Sequence, residues 1–540
     1  MIREEIVKLI EKSIKELQKG GVLPKFDILE IQVEHPEEKT HGDYAVNVAM
    51  TIAKQVKKSP MEIAQNIKNQ ISKIKNNIFE KIEVAKPGFI NFFLSKEYLQ
   101  KRVKEILKQG ENFGKLEIGK GQKTQVEFIS ANPTGPLHIG NGRGAFFGDT
   151  LANILERAGY KVIREYYVND ARVNTQIKIL GQTALGKGTT YLTKNLEFGI
   201  KNLESKLKNI KDEGEAGHLL AQEVQRDNKD FIEEKIKIKF DNWVSEEDFY
   251  KKNKIDKIFK WLREKNLVYE KDKAWWIKTS KFGDEKDWVV IRETGGPTYL
   301  LSDITYHKDK FERGFSKIVN IWGADHQGHV SKIKAVAKIL GYKGDLDILI
   351  SQIVRLKGGL KLSKRKGEII TLESLIDEVG LDVARFLYLT KSLNTQMEFD
   401  LELAKEQGEK NPVFYIQYAH ARICSILRKC KMQNAKCKIR VPTKWVQNLT
   451  LLNHPSELEL VKQLIRFPEI IEDTSQDYQV QRIPQYALDL ATVFHQFYRD
   501  CKVLTEDGPL KEARLSLILA TKTILKNTLD LMGISAPERM

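Results

Sequence analysis

One histidine, His138, stands in the segment PTGPLHIGNGRGAFFGDT, residues 133–150, where five glycines and two prolines gather directly after the apolar stretch QVEFIS. Pro133 and Pro136 restrict the backbone on the approach to His138, while Gly140, Gly142 and Gly144 keep side chains out of a ligand's path. A glycine-rich turn between a buried strand and a helix is a place where backbone N–H groups receive phosphate. The spacing is neither G-x-G-x-x-G nor G-x-x-x-x-G-K-[ST], so the dinucleotide and P-loop fingerprints do not apply. Far downstream, RLKGGLKLSKRKGE sets Lys361, Lys364, Arg365 and Lys366 around Ser363, flanked by glycines. Alone, such a run reads as a solvated basic turn. Paired with a phosphate-receiving loop, it suits a mobile set of cations that meets the charge developing on a polyphosphate leaving group.

The elements that must position these residues follow from the apolar patterning. TQVEFIS reads as a buried strand, the Gly/Pro segment as a loop, GAFFGDTLANILERAG as a helix closed by Gly159, and YKVIREYYV as a second strand. Strand, helix and strand with short connections make the βαβ unit of a parallel sheet. A Lys/Glu-rich, largely helical insertion interrupts the pattern from about 172 to 290, after which FSKIVNIWGAD, a helix and LDILISQIVRL resume it. Residues 1–115 read as an N-terminal α/β module ending in the linker ENFGKLEIGKGQK. Residues 116–410 form the parallel-sheet domain, and 411–540 an all-helical bundle with apolar residues at helical spacing. The fold class is therefore multidomain α/β.

A chain of 540 residues exceeds one ordinary core, and 41% hydrophobic with 30% charged residues excludes wholesale disorder. The formal charge of +16 is spread along the chain rather than held in a tail, which points to a large folded polyanion such as a nucleic acid. Cys424, Cys430, Cys437 and Cys501 are too widely spaced for a structural zinc site and read as reduced thiols of a cytoplasmic protein. No apolar run approaches a membrane span.

HIGN and KLSKR resemble the HIGH and KMSKS motifs of class I aminoacyl-tRNA synthetases. VEFISANPTGPLHIGNGRGAFFGD, PTYLLSDITYHKDKFERG, WGADHQGHVSKIKA and LKLSKRKGEIITLESLIDEVGLDVARF are similar to the bacterial arginyl-tRNA synthetases in particular, and the resemblance covers the whole chain. It implies a Rossmann-like catalytic domain, an N-terminal tRNA-binding module and a helical anticodon-binding domain. It also implies ATP-dependent attachment of L-arginine to its cognate tRNA through an arginyl-adenylate, with Mg²⁺ on the phosphates; a monomer with no membrane partner is expected.

Carried over by position, the resemblance makes His138, Asn141, Lys361 and Lys364 catalytic. Asn141 stands where many class I enzymes have a second histidine, Leu362 replaces the methionine of KMSKS, and Arg365 its last serine. ATP would meet Pro133, Gly135, His138, Gly140, Asn141, Lys361, Ser363 and Lys364. Arginine would meet Ser130, Asn132, Asn141, Tyr299, Asp303 and Gln327, with Glu127 set towards the same pocket. Tyr299 and Asp303 are four apart, so on a helix they share one face and can accept from the planar fork of a guanidinium. Without the resemblance they would read as a core tyrosine and a helix-terminal aspartate. Asp325, His326 and His329 could be proposed as a metal cluster, but the resemblance supplies no zinc here, so no protein-held metal is expected. A nucleotidylyltransferase of the same superfamily would be shorter and lack the bundle. A synthetase-like RNA-binding protein without catalysis would not need His138 and Lys364.

Overall fold

The computed structural model describes residues 1–27, 30–74, 76–359, 370–408, 410–430, 448–504 and 508–540. Ile2, Ile6, Ile10, Ile14 and Leu17 recur at helical spacing, so Ile2–Lys19 coils into a helix that buries this stripe. It packs with helix Pro60–Ile71 beside a four-stranded antiparallel sheet of β1 (Val33–Glu34), β2 (Tyr44–Val46), β3 (Phe79–Ala85) and β4 (Phe89–Leu94), in the order β1-β2-β4-β3. Ser95 caps the helix Lys96–Gln109 that leads out of the module.

The central sheet is parallel, in the order β12 (Asp345–Ser351), β11 (Lys317–Gly323), β5 (Lys123–Glu127), β6 (Lys161–Val168) and β7 (Asn242–Ser245). Between β7 and β11 along the chain come β8 (Val268–Lys271), β9 (Ala274–Ile277) and β10 (Trp288–Ile291). Strands later in sequence lie on both sides of β5, which makes its carboxyl end the topological switch point where open α/β sheets receive ligands. A short parallel pair, β13 (Val354–Leu356) and β14 (Met397–Phe399), lies beyond.

The insertion differs from its sequence reading. Helices Thr175–Ala184, Lys194–Asn202 and Glu213–Asp230 are present, but β7 extends the parallel sheet and β8–β10 form a separate antiparallel sheet in the order β10-β9-β8. Each of β7–β10 is four residues long, too short for a two-residue period to stand out against the surrounding helical pattern.

The C-terminal helices Pro412–Lys429, Pro455–Ile465, Phe467–Asp477, Arg482–Asp500 and Gly508–Met532 form the expected bundle. It is joined to the parallel-sheet domain through buried Arg385, which pairs with Asp149 at 2.7 Å and donates to the carbonyls of Ile236 at 2.7 Å and Met532 at 3.0 Å. The N-terminal module docks on it through buried Glu469, which accepts from Tyr44 Oη at 2.9 Å and contacts His35 Nε2 at 2.8 Å. Among the described residues, no helix is long and apolar enough to cross a membrane.

Candidate active site

Beyond β5 the backbone turns through two successive left-handed residues that are not glycine, Ile129 (φ 68°) and Ser130 (φ 37°). Such conformations persist only where surrounding contacts fix them. Here Ser130 Oγ donates to Glu127 Oε1 at 3.0 Å and accepts from Tyr167 N at 3.1 Å, while Tyr166 Oη accepts from Ala131 N at 3.1 Å. Asn132 follows, its carbonyl closing a turn with Thr134 N at 2.8 Å, and Pro133 is buried behind it. Asn228 of the insertion reaches over to Gly135, donating to its carbonyl at 3.1 Å.

The HIGN residues are not a loop. The helix begins at Ile139 and runs to Arg157, with His138 as its N-cap. His138 Nδ1 accepts from Gly140 N at 3.0 Å, and Asn141 Oδ1 accepts from His138 N at 2.9 Å, a reciprocal capping box made by a histidine and an asparagine. Because Nδ1 is an acceptor, the proton of the neutral ring resides on Nε2, which is left as a donor. Partial desolvation by the surrounding chain lowers the pKa of His138, while the Asp325 carboxylate opposes that shift. Asn141 likewise spends its oxygen on the cap and keeps its amide N–H groups. Two donors therefore sit at the positive end of a long helix, an arrangement suited to an anion.

The glycines divide by role. A Cβ on Gly140 would lie 2.8 Å from His138 Cε1, so this glycine makes room for the capping ring. One on Gly142 would lie 2.7 Å from Leu372 Cδ1, and one on Gly148 would collide with Phe128. These two serve close packing of the helix rather than the ligand's path. Gly135 has open space around it, and Gly144 meets only Ile321, at 3.9 Å.

Lys361, Ser363 and Lys364 lie outside the described residues. The chain that follows them is stitched to HIGN: Ile139 N donates to the Ile370 carbonyl at 3.1 Å and Leu372 N to the Leu137 carbonyl at 2.8 Å, with Thr371 opposite His138.

Tyr299 and Asp303 do share the face of one helix, Tyr299–Glu312. Tyr299 Oη accepts from Asn174 Nδ2 at 2.6 Å, and the same amide lies 3.2 Å from Glu246 Oε2. Half-buried Asp303 is pushed up to about 8 by burial and by the carboxylates of Glu246 and Glu127, against the opposing pull of Lys332 and Lys310. Burial also raises Glu246, with Asp170 adding to the effect. The pocket is therefore short of positive charge, and a cation entering it would restore ionisation of its carboxyls.

Beneath it runs a chain of contacts: His307 Nδ1 donates to the Asp303 carbonyl at 2.8 Å, and Asn320 Nδ2 donates to His307 Nε2 at 3.1 Å. Asn320 Oδ1 then accepts from buried Lys310 at 2.8 Å, and Lys310 pairs with Glu127. Burial together with Lys310 drives His307 down to about 3, so its ring is neutral. Glu127 is thus spent on Lys310 and Ser130 beneath the pocket. Gln327 is exposed on the turn Ala324–His329, beside Asp325 and His326.

Sequence reasoning missed Asn174 and Glu246. Asn174 caps helix Thr175–Ala184, accepting from Gln176 N at 2.9 Å, and Glu246 opens helix Glu246–Lys251. Both residue types are ordinary at helix starts, so nothing in the sequence set them apart.

Three family models match in chain order: "Arginyl tRNA synthetase N terminal domain" over residues 4–94, "tRNA synthetases class I (R), catalytic domain" over 102–409, and "DALR anticodon binding domain" over 416–540. The chain belongs to the arginyl-tRNA synthetase family. An arginine–tRNA ligase of Caldanaerobacter subterraneus subsp. tengcongensis is 42% identical, with 100% of this chain and 99% of that protein covered. The Bacillus subtilis arginine–tRNA ligase is 41% identical, with 100% of each covered. The Thermus thermophilus arginyl-tRNA synthetase structure shares the fold at a TM-score of 0.79 over 100% of both chains, with 22% identity. This synthetase is a class I ligase that joins arginine to tRNA.

Proposed function

We propose that arginine binds with its guanidinium between Asp303, Glu246 and Tyr299 and its α-amino acid end towards Ser130, Asn132 and Gln327, while ATP lies along the start of helix Ile139–Arg157 past Pro133, Gly135 and Gly140. The observation that carries this reading is the meeting, at one switch point, of a cation-deficient carboxylate pocket and a helix start with two outward donors. The arginine carboxylate attacks the α-phosphorus of ATP and pyrophosphate leaves. The terminal ribose hydroxyl of tRNA then attacks the adenylate carbonyl and AMP leaves. His138 Nε2–H and Asn141 Nδ2–H donate to the α-phosphate as its charge develops. Lys361, Ser363 and Lys364 meet the departing pyrophosphate, a role supported by the bond of Ile139 N to the carbonyl of Ile370, which follows them in the chain.

Mg²⁺, when bound, shields phosphate charge. Among the described residues no three of His, Cys, Asp and Glu converge on a common point, while a nucleotide-borne Mg²⁺ needs only one or two protein carboxylates. The module over 1–115 and the bundle over 411–540 hold the tRNA, and the protein works as a monomer in the cytoplasm.

The deciding experiment is ATP–pyrophosphate exchange with each amino acid, with and without total tRNA. Exchange should depend on arginine alone among the amino acids and should be negligible until tRNA is added. Exchange driven by another amino acid would overturn the arginine reading, and robust exchange without tRNA would show only that activation of arginine does not wait for tRNA.

The Asp303 carboxyl also predicts a pH dependence. A guanidinium favours the ionised form, so binding below pH 8 must release a proton. Arginine affinity should climb by up to about tenfold per pH unit towards pH 8 and level off above it. Calorimetry of arginine binding in buffers of different ionisation enthalpy measures the proton directly. A flat affinity with no proton release between pH 6 and 8 would remove Asp303 from guanidinium binding.

A further inference from the structure

Asn320 of β11, Glu127 of β5 and Glu165 of β6 are register partners on three neighbouring strands, so they form one polar row across the sheet, level with the end of β5. All three are buried. Interior strands of a parallel sheet are covered on both faces and ordinarily apolar, so such a row has to find its partners inside the protein. It finds them along helix Tyr299–Glu312 and at Arg313, which follows it. Glu165 accepts from Tyr306 Oη at 2.9 Å and from Arg313 Nη2 at 2.8 Å. Glu127 pairs with Lys310, which also donates to Asn320 Oδ1 at 2.8 Å and lies over the Tyr306 ring, 4.2 Å from its centre. Lys310 is itself fully buried, so its ammonium touches neither substrate nor solvent.

These contacts tie together two places that are far apart in the chain. Asp303 and Lys310 are seven residues apart, two helical turns, and so share one face of the helix. On the strand side, Glu127 accepts through its other oxygen from Ser130 Oγ at 3.0 Å, within the turn whose backbone is left-handed at Ile129 and Ser130. On the helix side, Asn320 Nδ2 donates to His307 Nε2 at 3.1 Å, and that ring donates to the carbonyl of Asp303 at 2.8 Å. With arginine placed as proposed above, Ser130 meets its α-amino acid end and Asp303 its guanidinium, and one buried ammonium stands between the two supports.

We propose that Lys310 is a positioning residue that sets the separation between the two ends of the arginine site, and with it the side-chain length that the enzyme activates. A buried ion pair adds little stability over apolar side chains of the same volume, because desolvation offsets the attraction. Its directed hydrogen bonds, by contrast, fix a geometry that apolar contact would leave free to slide.

The test is ATP–pyrophosphate exchange by the full-length protein with tRNA present, comparing arginine with the analogues that have one methylene fewer and one more. One methylene ordinarily separates substrates by about 10–200-fold. Lys310→Met combined with Glu127→Gln removes both charges at nearly constant volume, and Lys310→Arg keeps the charge on a longer, planar head. Both retain the second fastening of the helix, Arg313 on Glu165, and should fold. In each, the preference for arginine over at least one analogue should fall about tenfold or more, with the KM for ATP within about twofold of wild type. A folded variant of either kind that keeps the wild-type preference would overturn the proposal, and so would a lowered melting temperature with unchanged preference. Asp303→Asn, run alongside, separates this role from the placement of arginine. If it leaves arginine exchange unaltered, the placement fails and takes the role of Lys310 with it. If it impairs exchange while the Lys310 variants keep the preference, only the role of Lys310 is lost.

Discussion

Asp303→Asn should lower kcat/KM for arginine by roughly 30-fold to several thousandfold while leaving the KM for ATP within about twofold of wild type. The substitution keeps the shape of the side chain but exchanges a carboxylate for an amide with one acceptor oxygen and two donors, which face a ligand that only donates. Glu246 would then be left as the guanidinium's ionisable partner, and it is itself disfavoured as an anion by burial and by Asp170. Losing one half of a desolvated charge pair costs about 2–5 kcal/mol, which sets the predicted range. ATP is spared because its contacts come from the start of helix Ile139–Arg157, a separate element.

The same variant should be more stable than the wild type, and the sign follows from the raised pKa. Asp303 titrates near 3.8 in an unfolded chain and near 8 in the folded one, so folding takes up a proton between those values. Wild-type stability is therefore lost as pH rises from about 4 to 8, and the penalty is complete above 8. The melting temperature of Asp303→Asn should exceed that of the wild type most clearly above pH 8, and a fixed concentration of arginine should narrow the gap by stabilising the wild type more than the weaker-binding variant. Equal arginine kinetics in the two proteins would eliminate Asp303 as a specificity group.

Much of this was readable in the residues, for reasons that differ from place to place. The run from β5 to β6 is a strand, a helix and a strand with short connections, as its local pattern predicted, although β5 stops at Glu127 and buries Thr124, Gln125 and Glu127 with a single apolar residue, Val126. Tyr299 and Asp303 sit four apart on an actual helix, so spacing put them on one face, while only the resemblance singled them out from a core tyrosine and a helix-terminal aspartate. The rest of their pocket was hidden because it is assembled across the insertion. Asn174 and Glu246 meet Tyr299 only in space, and both bear types that helix starts use routinely. Lys310 is less legible still. It looks like one more surface lysine in YHKDKFERG, yet it is fully buried against Glu127 and Asn320, because the helix turns it under the sheet rather than out to solvent.

His138 was legible as a chemical group but not as a cap, since capping boxes are ordinarily sought as Ser or Thr followed by Glu or Gln. That double role decides how its mutation must be read. His138→Ala removes both the Nε2–H donor and the acceptor for Gly140 N, so a lower adenylation rate could come from a frayed helix start as well as from a missing phosphate contact. His138→Asn separates the two, because asparagine is among the strongest N-cap residues and restores an acceptor for the helix, while its short side chain cannot reach where Nε2 does.

The alanine variant should therefore lose about 0.5–2 kcal/mol of stability from the cap, and the asparagine variant close to none. Both should lower the adenylation rate by about 10²–10³, corresponding to about 2.7–4 kcal/mol for one lost donor to a developing charge, with arginine affinity nearly intact. Pre-steady-state adenylate formation with tRNA present, alongside thermal melts of the two variants, gives both quantities. A His138→Asn enzyme that is stable and nearly as fast as the wild type would confine this histidine to capping the helix, and the charge at the α-phosphate would then have to be met by Asn141 and the backbone N–H groups of the helix start.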